Sequence, residues 1–374
     1  MKVALVHDWL TGMRGGEKVL EVFCEMYPKA DIFTLVHIPN SVSEVIESHQ
    51  IYTSFLQKMP DISRKYRWYL PLMPLAIESF ILHDYDLVLS SSHCVAKGVK
   101  PSGTPHISYC HTPMRYAWDQ YNTYFNRSRF SPALLYLIGK VMPHMRKWDR
   151  KSASRVDMFI ANSQNVSDRI RKCYRVEAKT IYPPVDTSFY ELPDIKTERK
   201  KYLVVSSFAP YKRIDLTIRA FNKLGEPLVI VGSGEDEKHL KEMARPNIEF
   251  LESVSNKELK LLYQSAKALI YPGEEDFGII PVEAMACGTP VIAFGRGGAL
   301  ETVIPLSDTS TAYPTGVYFD EQTPDDLIQA IGRFEKHSMF FLQEKLRNNA
   351  KRFSRELFRN NMERAIEEFV QARH

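Results

Sequence analysis

The sequence predicts an α/β protein built from two doubly wound parallel sheets. Three observations carry that expectation. At 374 residues the chain is too long for one ordinary hydrophobic core, so two domains are the starting point. It opens on a buried-type strand, a glycine-containing turn and an apolar-periodic helix, which is how a doubly wound sheet begins. From Lys201 the same alternation starts afresh, with no repetition of the residues themselves.

The composition, 44% hydrophobic and 25% charged residues, is that of a soluble globular protein. No apolar run approaches the roughly 18 residues a membrane span needs; the longest candidate, Ala133 to Val141, is broken by Gly139 and Lys140. The strand-like start KVALVHD gives the expectation of no signal peptide. Five scattered cysteines (Cys24, Cys94, Cys110, Cys173, Cys287) include no CxxC pair. They point to reduced thiols in a cytoplasmic compartment and away from a zinc site.

Taken in order, Lys2 to Asp8 is the first strand, Asp8 to Gly16 a turn-rich loop, and Glu17 to Met26 a helix with Val19, Leu20, Phe23 and Met26 on its apolar face. The loop lacks the G-x-G-x-x-G spacing, so a dinucleotide fingerprint is not supported. Asp31 to Val36 is a second strand. Residues 40 to 82 read as helical and irregular, interrupted by Pro71 and Pro74. Asp86 to Ser90 and His106 to Cys110 are further parallel strands, and His111 follows directly on the second, where the ends of such strands line a crevice. Long helical segments fill 124 to 155, and Asp157 to Asn162 is another strand. Thr180 to Val185, with two prolines, closes a first domain of residues 1–185. A polar linker, 191 to 200, leads into a second domain, 186–355, followed by a last helix, 356–374.

The second half carries strands at Lys201 to Ser206, Leu228 to Val231 and Ile248 to Leu251, and helices at Ile214 to Leu224 and Asn256 to Ser265. Its central stretch is YPGEEDFGIIPVEAMACGTPVIAFGRGG, Tyr271 to Gly298. A short apolar run leads into an acidic loop with Glu274, Glu275 and Asp276, then a two-turn helix from Pro281 to Cys287, then a strand from Pro290 to Phe294. Proline suits the first helical turn and Gly288 the residue past the end. A helix N-terminus reached through a glycine loop is a seat for phosphate. Glu275 and Glu283, with seven residues between them, stand beside that seat, where carboxylates suit sugar hydroxyls better than phosphates.

The run E-D-F-G-I-I-P-V-E-A-M-A-C-G-T-P-V-I-A resembles the donor-site signature of the retaining GT-B glycosyltransferases of family 4, in which a Glu–seven residues–Glu arrangement binds a nucleotide-sugar. H-T-P-M-R-Y-A-W-D, His111 to Asp119, resembles the mannosyltransferase branch of that family, the branch of O-antigen enzymes. The resemblance implies two Rossmann-like domains facing across a cleft, an acceptor-binding first and a donor-binding second, with the last helix returning to the first. It implies that Glu283 holds ribose hydroxyls and Glu275 those of the transferred sugar. Backbone N–H groups of Phe277, Gly278, Ile279 and Ile280 would meet the phosphates, as would Lys212, which matches the diphosphate-binding lysine. Gly15 and Gly16 match a glycine pair that approaches the donor phosphates and the acceptor, and His111 would orient acceptor or sugar. The base would lie against Leu251 to Val254, where the usual glycine and arginine are Glu252 and Ser253. The arginine usual five positions before the lysine is Ser207 here. Arg213 or Arg296, or the Ser207 hydroxyl itself, is expected to compensate.

These residues imply a retaining transferase moving a sugar, mannose from GDP-mannose, onto a lipid-linked or polysaccharide glycan. No carboxylate cluster stands where a metal would screen the diphosphate, so the expectation is turnover without metal or other cofactor. The alternatives are a transferase using a UDP-sugar, a GT-B epimerase, and a membrane-associated sugar-binding scaffold. Residues 1–180 hold 24 Lys/Arg against 16 Asp/Glu. The excess is densest in Arg64 to Trp68 and in Lys140 to Arg155, mixed with aromatic residues as in patches that rest on anionic lipid. Nucleic acid is not an expected partner, since no binding motif accompanies the charge.

Overall fold

The computed structural model describes residues 1–118, 121, 125, 131–195, 198–252, 254–307 and 313–373. Asp119 and Ser253, named above, lie outside the described residues, as do parts of the 124 to 155 and 191 to 200 segments. The chain divides into two compact units, Met1–Pro184 with Phe358–His374, and Val185–Leu357. Val185, read from sequence as the end of the first domain, belongs to the second unit, because its N–H donates to the Phe353 carbonyl at 2.9 Å and its own carbonyl accepts from Arg355.

The first unit is a seven-stranded parallel sheet: β1 (Val3–His7), β2 (Asp31–Thr34), β3 (Ile51–Thr53), β4 (Leu87–Ser92), β5 (His106–Cys110), β6 (Met158–Ala161) and β7 (Ala178–Thr180). The spatial order is β3-β2-β1-β4-β5-β6-β7. Chain order reverses between β1 and β4, which makes that junction the topological switch point. β1, β4 and β5 are buried along their whole length, as central strands covered on both faces must be. Phe358, Met362, Ala365 and Ile366 of the last helix, Arg355–Gln371, join this unit's core, where Phe358 stacks on Phe23.

Two departures from the sequence reading concern short pieces. Residues 40 to 82 are not only helical, since β3 lies among them; three residues on a sheet edge are too few to show a period, and Tyr52 marks the strand only by stacking on Phe33. The first helix runs Gly15–Met26, so the glycine pair forms its first turn instead of ending the loop. Glu17 closes that turn by accepting the Arg14 N–H at 3.0 Å.

The second unit is a six-stranded parallel sheet of β8 (Lys201–Val205), β9 (Leu228–Val231), β10 (Ile248–Leu251), β11 (Ala266–Tyr271), β12 (Val291–Phe294) and β13 (Gly316–Phe319), ordered β10-β9-β8-β11-β12-β13. Its switch point is the β8–β11 junction. β13 has no counterpart in the sequence reading, being four residues long and preceded by a polar stretch. Arg199 is no solvated linker residue. Its guanidinium donates to the carbonyls of Ala266 and Cys287 and to Thr289 Oγ1, and burial draws its pKa down to about 10. It thereby fastens the entry strand to the end of the Ile279–Ala286 helix.

Candidate functional site

In the second unit the site grows from the loops after β8 and β11. The first, residues 206–213, ends in Lys212 and Arg213, and Arg213 takes a left-handed conformation (φ 55°) as it starts the Ile214–Leu224 helix. The second, residues 272–278, carries Glu275. Gly273 packs against the backbone of Lys212; a Cβ there would stand 3.1 Å from Lys212 Cα. With the backbones so close, Lys212 Nζ and Glu275 Oε1 form an ion pair, both side chains being largely shielded from solvent. The two residues that the resemblance assigns to phosphate and to sugar thus hold each other.

The helix at this site is Ile279–Ala286, two residues earlier at its start than the sequence suggested. Pro281 fits all the same, because first-turn N–H groups have no partner inside the helix. Gly278 caps it with φ 95°, a conformation glycine adopts without strain. Ile279 and Ile280 are half-buried in the first turn, and Phe277 is buried with its ring edge-on to Phe353. Glu283 is 4% exposed, and its Oε2 accepts the Tyr263 hydroxyl at 3.0 Å. Burial first, then the Glu283 charge, raises the Tyr263 pKa, which keeps the hydroxyl a donor.

The other sequence candidates are placed as follows. Arg213 is bound by Asp215 and Gln322, at 3.3 and 3.1 Å. Its charge is therefore engaged within the fold. Ser207 is exposed in the β8 loop, and Val254 is half-buried beyond β10. Glu252 pairs with Lys241 at 2.5 Å. Arg296 is exposed on the loop after β12. That loop lies directly on the acidic one: Gly298 N–H donates to the Glu275 carbonyl at 2.8 Å, and a Cβ on Gly298 would sit 2.2 Å from Phe277 Cα. Sequence reasoning missed Tyr263, Gln322 and this glycine contact. The G-R-G-G run was the available signal for the last.

In the first unit the candidates collect at the β1–β4 switch point. His7 ends β1, Asp8 follows it, His93 follows β4 and His111 follows β5. Asp8 is wholly buried and accepts the backbone N–H groups of His93, Cys94, Val95 and Ala96. His93 Nδ1 stands 3.1 Å from its Oδ2. Burial opposes the Asp8 charge, yet His93, His7 and the amides outweigh it and lower the pKa. His111 Nε2 lies 2.8 Å from Ser91 Oγ, and burial brings its pKa down to about 3, so the ring is neutral. Gly16 covers this group, a Cβ there standing 3.3 Å from His7 Cε1. Neither His7, Asp8, Ser91 nor His93 was singled out from sequence.

Farther along the same run, Ala117 and Trp118 are tied into the first unit. Trp118 donates its indole N–H to Asp149 at 2.8 Å; Asp149 also takes the Tyr174 hydroxyl and pairs with buried Lys97 at 2.8 Å. Arg146 donates to the Ala117 carbonyl, and Arg150 lies over the Trp118 ring. Part of the basic 140–155 segment therefore clamps this run, while Lys140, Lys147 and Lys151 stay exposed. Among the described residues no group of His, Cys, Asp and Glu is arranged to hold a metal ion, and no helix is long and apolar enough to cross a membrane.

Two family profiles match successive parts of the chain: Glycosyltransferase Family 4 over residues 13–189, and Glycosyl transferases group 1 over residues 191–353. The chain is similar to the α-1,3/1,6-mannosyltransferase of Kluyveromyces lactis, with 28% identity over 276 residues, 57% of this chain and 54% of that protein. It is similar also to the O-antigen chain mannosyltransferase RfbU of Salmonella typhimurium, with 31% identity over 208 residues, 50% of this chain and 56% of that one. The chain spans about half the length of these curated relatives. Among solved structures it matches sucrose-phosphate synthase from Thermosynechococcus elongatus (TM-score 0.74, 17% identity, all of both chains). It also matches Anabaena Alr3699/HepE in complex with UDP (TM-score 0.71, 16% identity, 98% of this chain and 100% of that one). At such identities the likeness carries the fold alone.

Proposed function

Because the chain belongs to the family 4 glycosyltransferases and has their GT-B fold, we propose that it transfers mannose from GDP-mannose to a glycan acceptor, with retention of configuration and without a metal. The observation that carries the donor site is the Lys212–Glu275 pair at the β8–β11 switch point, next to the N-terminus of the Ile279–Ala286 helix. A diphosphate entering there competes with Glu275 for the ammonium. It frees the carboxylate to accept hydrogen bonds from the hexose. The glycosyl C1–O bond then breaks toward the diphosphate, whose growing charge Lys212 and the helix amides stabilise more than they stabilise the bound donor. The acceptor oxygen bonds to C1 on the same face and gives its proton to the departing phosphate oxygen. By the resemblance, His111 orients the acceptor or the sugar. The names of the two mannosyltransferase relatives support mannose, and no base-reading residue does.

The test is nucleotide release from GDP-mannose, UDP-glucose and UDP-GlcNAc, with and without a glycan acceptor. Preference for a UDP-sugar removes mannose and leaves the class. Release of free sugar without an acceptor favours an epimerase, and no turnover with intact sugar binding favours a scaffold. We further propose a cytoplasmic, peripheral location on a lipid-linked acceptor. Exposed Trp68, Tyr136 and Leu137, with Arg64, Lys65, Arg67 and Lys140, suit an anionic surface. Sedimentation with phosphatidylglycerol vesicles but not phosphatidylcholine vesicles is the expected result.

A further inference from the structure

Three polar side chains beneath His111 have no part in the chemistry above, and all are buried: Glu17, His7 and Ser91. They form a connected series. His7 Nε2 faces Glu17 Oε1 at 3.7 Å, His7 Nδ1 lies 3.1 Å from Ser91 Oγ, and Ser91 Oγ lies 2.8 Å from His111 Nε2. The far end is fixed, since Glu17 Oε2 is held by the Arg14 N–H.

The Ser91 hydroxyl has one proton. Set between two imidazole nitrogens, it donates to one and accepts from the other. With His7 neutral, the Glu17 carboxylate favours its proton on Nε2, and Nδ1 is a lone pair. Ser91 then donates to His7 and accepts from His111 Nε2–H. The proton of His111 is thereby kept at Nε2, and the nitrogen turned away from Ser91, Nδ1, is the hydrogen-bond acceptor.

We infer that Glu17, His7 and Ser91 are positioning residues that keep the His111 proton on Nε2, so that Nδ1, the nitrogen turned away from Ser91, accepts a hydrogen bond from a sugar hydroxyl instead of donating one. The functional half of this inference rests on the reading that His111 meets the sugar; the tautomer itself does not. The charged and titratable groups around His7 are Glu17 from the Gly15–Met26 helix, Asp8 next in the chain, Arg14 before the helix, His93 beyond β4 and His111 beyond β5. Asp8 is held by its four amides and by His93. Glu17 is the carboxylate that faces His7 Nε2.

The experiment is long-range proton–nitrogen NMR on protein labelled with ¹⁵N-histidine, His111 being assigned by loss of its signals in His111→Gln. At pH 8 the wild type is expected to show His111 as the Nε2–H tautomer. Ser91→Ala should give a mixture, Ser91→Thr, which restores the hydroxyl, should return the wild-type state, and Glu17→Gln should raise the Nδ1–H share. An Nδ1–H tautomer in the wild type at pH 8, or no change in both Ser91→Ala and Glu17→Gln, overturns the inference. In turnover assays Ser91→Ala and Glu17→Gln should each lower kcat about tenfold, the weight of one hydrogen bond, with donor KM unchanged. A tautomer that moves while kcat stays constant upholds the relay and refutes the placement of His111 at the sugar.

Discussion

Replacing Gly298 by alanine tests whether the loop after β12 sets the position of Glu275. Gly298 has φ −65°, an ordinary helical value, so alanine meets no backbone objection. The objection is steric alone: the new Cβ would stand 2.2 Å from Phe277 Cα, 2.3 Å from its carbonyl oxygen and 2.5 Å from its carbonyl carbon. Carbon atoms in contact sit about 3.5–4.0 Å apart, so the two segments must separate by roughly 1.5 Å. No rotamer change relieves this, because every atom met is backbone. The separation strains the bond from Gly298 N–H to the Glu275 carbonyl and shifts Glu275 relative to Lys212. Overpacking of this kind costs about 1–3 kcal/mol of stability. A displacement near 1 Å at a reacting centre costs on the order of 10²-fold in rate. The assays are urea unfolding and kcat/KM for sugar transfer, each against wild type. A variant with unchanged unfolding midpoint and unchanged kcat/KM would refute the reasoning, since it would show that the loops separate without moving the site.

Four further outcomes are expected. Gly332 lies inside the Pro324–Lys336 helix with open space where a Cβ would go, so Gly332→Ala should raise stability by about 1 kcal/mol in the same urea titration. His106 and His111 have pKa values lowered, chiefly by burial, from 6.5 to about 4 and about 3. Below pH 6.5 the unfolded chain binds more protons at each, so stability should fall by about 2 kcal/mol per histidine between pH 7 and pH 5, as unfolding free energies at the two pH values will show. Lys212→Met should reduce transfer by about 10²–10³, measured as kcat, with Lys212→Arg recovering part of it. Asp149→Asn, which leaves the buried Lys97 ammonium without its carboxylate, should lose about 3–5 kcal/mol in chemical unfolding.

What the sequence discloses here is what local pattern controls. Buried central strands announce themselves as apolar runs, and β1, β5, β9 and β12 were all found within a residue or so of their observed ends. The acidic loop and the short helix after it are likewise legible, since proline and glycine chemistry acts within a few residues, although the helix starts at its Gly278 cap, ahead of Pro281. Pieces with too little length to show a period, β3 and β13, escaped. Side-chain allegiance escaped too. Trp118 stands in the run that follows His111, but its indole N–H belongs to Asp149, 31 residues on. Arg213 looked like a spare cation, but Gln322, 109 residues on, holds it.

The group under His111 shows why such partnerships stay hidden and when they become readable. In the parallel register His7 of β1 lies opposite Ser91 of β4, and Ser92 of β4 lies opposite Cys110 of β5, one residue before His111. Given the order β1-β4-β5, the succession His7, Ser91, His111 follows from register alone, because neighbouring residues in parallel strands sit about 4.8 Å apart. That order is set by a crossover: the chain lays β2 and β3 on one side of β1 before returning to place β4 on the other. Nothing within a dozen residues of His7 encodes that return. A switch point therefore gathers side chains from strands distant in sequence at their carboxyl ends, and here it sets His111 against a serine, a second histidine and a glutamate.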